Sequence, residues 1–348
     1  MKLIQAKTIL VTFLMQLGDL VLTTPFLAAL RKSAPDAHIV YLIDKKWLAV
    51  MKENSDINEI LTIDRKGEDR GFVALWRYSK TLRARKFDYL ININPSERCS
   101  FLAAFSGASY KAGATHGMFK KFFDMPLKLD RSKHAADMYL EILNRLGVGN
   151  LSNEGLKIIP VANDLTLVAE FFNSQKIAEE DKLIGFNVGS ASATKRWLPE
   201  RFAAVADHVA QRGYKPVFFG SESELPMVEQ TVRHMKTSSY ILSTGKLTIG
   251  MLTAALGRLD MLVTNDSGPM HVAISQGVPI VALYGPSKPE LYGPYKAEKA
   301  IIVTGQPPCE GCQKAMKHVC PDMKCMYNIS SQQVISAVDD MLAEGRLS

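Results

Sequence analysis

Short blocks of apolar and β-branched residues alternate along this chain with longer stretches in which apolar positions recur every three or four residues. The blocks Thr8 to Leu14, His38 to Leu42, Glu59 to Ile63, Tyr89 to Ile93 and Tyr110 to Gly113 read as strands. The periodic stretches between them read as helices: one from about Thr23 with Pro25 in its first turn, then 46–53, 72–86 and 98–106. A helix from Ala135 to Leu146, stopped by Gly147, closes the first half, and Asp164 to Ser174 forms a bridging helix. The alternation then restarts. Strands are expected at Leu183 to Val188, Pro216 to Phe219, Tyr240 to Leu242, Met261 to Thr264 and Pro279 to Leu283, with helices at 199–212, 223–236, 249–257 and 269–276. Ser331 to Glu344 reads as an amphipathic helix capped by serine and ended by Gly345. Strand and helix in alternation predict an α/β protein whose parallel sheets are covered on both faces. Two rounds predict two domains, residues 1–160 and 180–330, followed by the closing helix in 331–348, with ligands at the carboxyl ends of the strands.

Composition agrees with two cores: 348 residues are long for one domain, and 47% hydrophobic with 22% charged residues is ordinary for a soluble globular protein. No apolar run approaches the roughly 18 residues of a membrane helix, and Thr8 to Leu14 runs into Gly18-Asp19 without a small-residue cleavage site. A cytoplasmic location is expected. Charge changes the picture more. Residues 1–150 hold 23 Lys and Arg against 15 Asp and Glu, while the remainder holds 19 against 20, so the net +7 belongs to the first half. Such a half can face an anionic substrate, an anionic lipid surface or nucleic acid. Trp47, Trp76 and Trp197 form no stacking pattern, which argues against nucleic acid.

Candidate chemistry falls at strand ends. Val263-Thr264-Asn265-Asp266-Ser267-Gly268-Pro269-Met270-His271 reads as strand, tight turn and helix start. The free N–H groups and positive dipole end of that helix can receive a phosphate, with Ser267 adding a hydroxyl and Gly268 permitting close approach. An ordinary α/β connection with an N-capping Asp or Ser is the alternative. Ser190, in the small hydroxyl-rich run before Lys195, suits a diphosphate or a mobile surface loop. Glu222, after the next strand, can bind sugar hydroxyls or cap a helix. Asp19 stands in a loop beside Gly18 at the end of the first strand, placed to act as a general base or to cap the helix that follows. Cys309, Cys312, Cys320 and Cys325, with His318 among them, could hold a structural metal, but the short irregular spacing favours reduced thiols packed in a loop. Cys99 lies in an apolar helix and reads as core.

Taken together, Gly18-Asp19 with Leu22-Thr23-Thr24-Pro25, Lys195-Arg196-Trp197-Leu198-Pro199-Glu200, and Asn265-Asp266-Ser267-Gly268 with His271 and Tyr284-Gly285-Pro286 resemble the heptosyltransferase family, family 9 of the glycosyltransferases. The resemblance extends from about residue 7 to 340. It implies a glycosyltransferase-B fold: two Rossmann-like domains with parallel sheets facing across a cleft, the first binding acceptor and the second a nucleotide-sugar donor, and a final helix crossing back toward the first. It implies inverting transfer of heptose from ADP-heptose to the lipopolysaccharide inner core, with no cofactor and no catalytic metal. On this resemblance Asp19 is the base, and Ser190, Lys195, Glu222, Asp266, Ser267, Gly268 and His271 bind the donor. The basic first half then meets an anionic lipopolysaccharide precursor, through Arg65, Lys66 and Arg70 and, less directly, Arg98, Lys120 and Lys121. Peripheral contact with the cytoplasmic leaflet of the inner membrane fits the same charge. The alternatives are a relative using another nucleotide sugar on another cell-surface glycan, or a nucleotide-sugar binding protein without turnover. Asp19 weighs against the latter, because a binding module needs no carboxylate on the acceptor side.

Overall fold

The computed structural model describes residues 3–149, 151, 153–305, 320 and 323–343. The chain divides into two compact units, Met1–Ile159 and Pro160–Ser348. In the first unit six parallel strands, β1 (Thr8–Thr12), β2 (His38–Asp44), β3 (Glu59–Ile63), β4 (Tyr89–Asn92), β5 (Tyr110–Ala114) and β6 (Met125–Leu127), form one sheet in the order β3-β2-β1-β4-β5-β6. In the second unit β7 (Leu183–Asn187), β8 (Lys215–Phe219), β9 (Ile241–Leu242), β10 (Met261–Asn265), β11 (Ile280–Tyr284) and β12 (Ala300–Thr304) form another, β12-β11-β10-β7-β8-β9. Read from opposite edges, both sheets follow the Rossmann order, which reverses direction between β1 and β4 in one and between β7 and β10 in the other. Loops leave in opposite directions at such a reversal, and the crevice between them is where open α/β sheets take ligands.

Each sheet is packed by helices that bury their apolar face. Leu10, Val40 and Leu90 meet Leu82 and Leu102 in the first unit. In the second, Ile184, Phe218 and Val263 meet Phe202 and Val205 of helix Pro199–Gln211, and Val334, Val338 and Met341 of helix Ser331–Ala343 join the same core. Each such side chain contributes about 1.5 to 3 kcal/mol through burial. Helix Ser331–Ala343 packs on the core of the second unit, where His208 and Arg212 also hold its Asp339. Helix Ala162–Ser174, expected to bridge the halves, belongs to the second unit.

The strand ends are tied by buried polar pairs at both reversals. Thr12 Oγ1 donates to Asn92 Oδ1 at 2.6 Å, and Asn92 Nδ2 donates to the Ala114 carbonyl at 2.6 Å. Asn187 Nδ2 donates to Thr264 Oγ1 at 3.1 Å in the second sheet. These bonds satisfy groups that would otherwise be costly to bury.

Two strands were not expected. Pro126 reads as a breaker, yet β6 is an edge strand, where a missing N–H costs no ladder bond. β12 is short, follows the charged run 296–299 and is reached through the four-residue helix Pro289–Tyr292, so no long periodic stretch announces it. Gly113 in β5 has φ +114°, and a Cβ there would lie 2.2 Å from the Asn92 carbonyl oxygen. Gly113→Ala is therefore expected to destabilise the first unit by about 2 kcal/mol or more, seen as an earlier transition in urea unfolding followed by circular dichroism.

Candidate active site

Asp19 lies not in a loop but in the first turn of a five-residue helix, Leu17–Val21, that follows β1 directly. Helix geometry wins over the loop reading because Leu17, Leu20 and Val21 are all buried and face the core. A second helix, Thr24–Ser33, begins two residues later. Pro25 lacks the N–H that would bond the Val21 carbonyl, and the Thr24 hydroxyl supplies that bond at 2.8 Å. Thr23 Oγ1 likewise serves the Leu20 carbonyl at 2.7 Å and meets Tyr41 Oη at 2.8 Å. The Thr-Thr-Pro run thus fixes the small helix that carries Asp19. The carboxylate lies in the first turn of that helix and stays partly exposed.

Across the reversal, Asn94 follows β4. It is buried, its Oδ1 accepts the Ser96 N–H at 2.7 Å, and its Nδ2 has no hydrogen-bond partner among the described residues. Sequence reading missed it, and only the strand order reveals that β4 neighbours β1.

The basic residues divide into tied and untied. Arg65 is committed: Nε contacts Asp44 Oδ2 at 2.6 Å and Nη1 donates to the Leu14 carbonyl at 3.0 Å. It braces the ends of β1 and β2 instead of reaching out. Arg98 Nη1 donates to the Asp69 carbonyl at 3.0 Å. Lys66, Arg70, Lys120 and Lys121 are exposed. Lys46, not anticipated, reaches Gln16 Oε1 at 3.1 Å. Burial, aided by the charges of Arg65 and Lys66 and opposed by Asp44, holds its ammonium below the usual lysine value. Further along the same sheet edge, Pro95, Thr115, Lys128, Asp130, Arg131 and Arg145 line a cavity of about 670 Å³ after β4, β5 and β6. Lys128 and Arg131 are exposed there, while Arg145 is held by Glu141 and by the Lys128 carbonyl. Sequence reading missed this cavity because β6 was not foreseen.

The second unit gathers most of the expected donor residues at its own reversal. Lys195 Nζ contacts Asp266 Oδ2 at 2.6 Å, with the Asp266 side chain only 6% exposed. Ser287 Oγ donates to the same carboxylate oxygen, and Ser190 Oγ donates to the Asp266 carbonyl at 3.5 Å. Asn187 Nδ2 donates to Ser267 Oγ at 2.7 Å. With its hydroxyl so engaged, Ser267 makes no side-chain cap on helix Gly268–Ser275, whose second residue is Pro269. Pro269 has no N–H and the Met270 N–H bonds the Ser267 carbonyl at 3.2 Å, so the positive dipole end, with Gly268 at its start, is what this helix offers an anion. His271 is buried on the same helix.

The run from Ser190 to Trp197 is no mobile surface loop. Ser190, Thr194 and Trp197 are buried. The Trp197 N–H donates to Asn265 Oδ1 at 3.0 Å, its indole Nε1 to the Ile329 carbonyl at 2.9 Å, and Asn265 Nδ2 to the Val188 carbonyl at 2.8 Å. Glu222 is exposed in the short turn Glu222–Glu224. The capping role belongs to Ser221 and Glu224, whose Oε2 accepts the Ser221 N–H at 2.8 Å. Glu222 itself takes no part in that capping box. Asn187, Asn265 and Ser287 were not anticipated; Ser287 lies one residue beyond Tyr284-Gly285-Pro286, so the signal was adjacent. Burial raises the Tyr284 phenol far above its usual value, with Asp266 adding to the rise, so it remains a neutral donor to the Tyr292 carbonyl at 2.9 Å.

Cys99 is fully buried and its thiol is pushed up to about 11 by that burial, as expected of core. Cys309, Cys312 and His318 lie outside the described residues. Cys325 is buried, and Cys320 Sγ accepts the Met323 N–H at 3.4 Å. No helix among the described residues is long and apolar enough to cross a membrane.

The family model for glycosyltransferase family 9 (heptosyltransferase) matches residues 75–321. This chain belongs to glycosyltransferase family 9. It is a glycosyltransferase, and its two Rossmann-like units are those of the glycosyltransferase-B fold. The matched span contains Ser190, Lys195, Glu222, Asp266, Ser267, Gly268 and His271, whereas Asp19 precedes it. Among solved structures, a family 9 glycosyl transferase from Veillonella parvula DSM 2008 is 46% identical with a TM-score of 0.91, covering 97% of this chain and 98% of that one. The Escherichia coli heptosyltransferase WaaC, solved with ADP, shares the fold at 13% identity and TM-score 0.74, over 96% and 99% of the two chains. The lipooligosaccharide heptosyltransferase 2 of Campylobacter jejuni is 26% identical over 338 residues, covering 95% of this chain and 97% of that relative.

Proposed function

We propose that this family 9 enzyme transfers heptose from ADP-heptose to the inner core of lipopolysaccharide, inverting the anomeric centre without a metal. The single observation that carries the reading is the cluster of Lys195, Asp266, Ser190 and Ser267 at the open N-terminus of helix Gly268–Ser275. The leaving ADP gains negative charge as the glycosidic bond breaks. Lys195 and the positive end of that helix supply compensating charge in a partly buried setting. Asp19 takes the proton from the acceptor hydroxyl as that oxygen attacks the anomeric carbon, and Asn94 Nδ2 is a donor for a neighbouring acceptor oxygen. Carboxylates or phosphates of the acceptor are met by Lys128 and Arg131 in the first unit's cavity, with Lys66 and Arg70 beyond it. The relatives named above, a heptosyltransferase solved with ADP and a lipooligosaccharide heptosyltransferase, favour this donor and acceptor over another nucleotide sugar.

Calorimetry with ADP, UDP and GDP tests the donor class. ADP is expected to bind at least tenfold more tightly than the others, and equal affinities would remove the case for an adenine nucleotide. Because Lys195 and the positive end of that helix fill the place of a cation, chelation with EDTA is expected to leave the initial rate within about twofold; abolition restored by added Mg²⁺ would overturn metal independence. The double variant Lys128→Gln/Arg131→Gln is expected to raise the acceptor KM roughly tenfold with the donor KM unchanged, each lost charge-assisted contact being worth about 0.7 kcal/mol at an exposed site. Parallel changes in both constants would show that the cavity does not bind acceptor.

A further inference from the structure

The first unit carries an apolar surface that neither donor chemistry nor the acceptor cavity uses. Among the large hydrophobic side chains described, the three most exposed are Val73 at 79%, Phe72 at 68% and Met118 at 67%. They lie together. Helix Phe72–Ala84 and the turn Gly117–Phe122 both pack on helix Glu97–Phe105. Phe72 and Trp76 meet Phe101 at ring-centroid distances of 5.3 and 6.1 Å, Trp76 meets Phe105 at 5.4 Å, and Phe105 meets Phe122 at 5.3 Å. Phe72, Trp76 and Phe122 are therefore seated together on Phe101 and Phe105, with the exposed Val73 and Met118 on the same two elements. A cluster of this kind on a chain with water as its only neighbour is unfavourable and marks an interaction site.

The charges around it select the partner. Helix Phe72–Ala84 has no acidic residue and exposes Arg77, Lys80 and Arg83, and the turn Gly117–Phe122 has none and exposes Lys120 and Lys121. Lys121 Nζ lies 5.4 Å from the Phe122 ring centre, so apolar and cationic groups are interleaved. Exposed apolar side chains, among them Trp76 with its polar indole N–H, on two elements whose only charged residues are lysine and arginine fit the boundary between acyl chains and anionic headgroups. A basic protein partner is excluded by like charge, and a second copy of this chain would oppose the same basic rim to itself.

We propose that Phe72, Val73, Trp76, Met118 and Phe122 insert into the headgroup layer of an anionic bilayer, with Arg77, Lys80, Lys120 and Lys121 pairing to its lipid phosphates. Each basic residue near such a surface contributes about 1 kcal/mol, and that part is lost as salt rises. The surface goes beyond the transfer reaction, and its test contains neither donor nor acceptor, so it stands or falls separately.

Wild-type protein is mixed with vesicles of phosphatidylglycerol and phosphatidylcholine, and with vesicles of phosphatidylcholine alone, at low and high salt. Binding by flotation is expected only to the anionic vesicles and to weaken at least tenfold at high salt. Phe72→Ser/Val73→Ser/Met118→Ser should weaken it at least tenfold with an unchanged circular dichroism spectrum, while Phe72→Leu retains it. Trp76 fluorescence should be quenched by lipids brominated along the acyl chains, and a Trp76→Phe control identifies the signal. Failure of wild type to bind anionic vesicles overturns the proposal. So does binding that the triple serine variant leaves intact, or a wild-type dimer in analytical ultracentrifugation that the same variant dissociates.

Discussion

Asp19→Asn is expected to lower kcat by about 10²-fold or more while ADP affinity stays within twofold of wild type. The substitution keeps the size of the side chain and its place in helix Leu17–Val21, which the hydroxyls of Thr23 and Thr24 hold from the other side. What it removes is the capacity to accept a proton as the acceptor oxygen attacks, and loss of a general base typically costs 10²- to 10⁴-fold. ADP affinity is the control, because the residues proposed to bind the nucleotide lie in the second unit. Rapid-quench turnover alongside calorimetry separates the two quantities. Near wild-type kcat would remove Asp19 from the chemistry, and a parallel fall in ADP affinity would mark it as structural.

The second large effect belongs to Lys195→Ala, for which ADP should bind roughly 10- to 150-fold more weakly and kcat/KM should fall further than binding alone. A charge-assisted contact to a diphosphate is worth about 1.5 to 3 kcal/mol, and its contribution grows as the leaving group takes on charge. Removing the ammonium also leaves Asp266 with Ser287 as its side-chain donor. Lys195→Ala/Asp266→Asn is therefore informative, since taking away the buried negative charge should recover part of the lost ADP affinity. If the double variant binds ADP no better than Lys195→Ala, the two residues do not act as a pair.

Much of this was legible in the sequence, for identifiable reasons. Apolar blocks separated by helical periodicity announced ten of the twelve strands among the described residues, since buried parallel strands leave a strong signal; β6 and β12 were missed because Pro126 and a short connection hid them. Lys195 and Asp266 were each ambiguous as residues, and they become a site only because β7 and β10 are neighbours. Strand order is long-range information that local pattern does not carry. The bonds of Arg65 to Asp44 and to the Leu14 carbonyl likewise join residues far apart in sequence, and no local spacing announced them. Asn94 had no distinctive spacing and emerges from burial and hydrogen bonding alone, whereas Ser287 sat directly after a motif that was read but was not itself singled out.

The central claim is the transfer itself, and mass spectrometry of the product tests it most directly. Purified protein is incubated with ADP-heptose and with lipopolysaccharide precursors truncated at successive inner-core positions, in the presence of EDTA. The account predicts that one of these precursors gains the mass of a single heptosyl residue, that ADP is released in equal amount, and that Asp19→Asn gives neither at a comparable rate. Absence of the heptosylated product from every precursor, with transfer instead from a different nucleotide sugar, would contradict it.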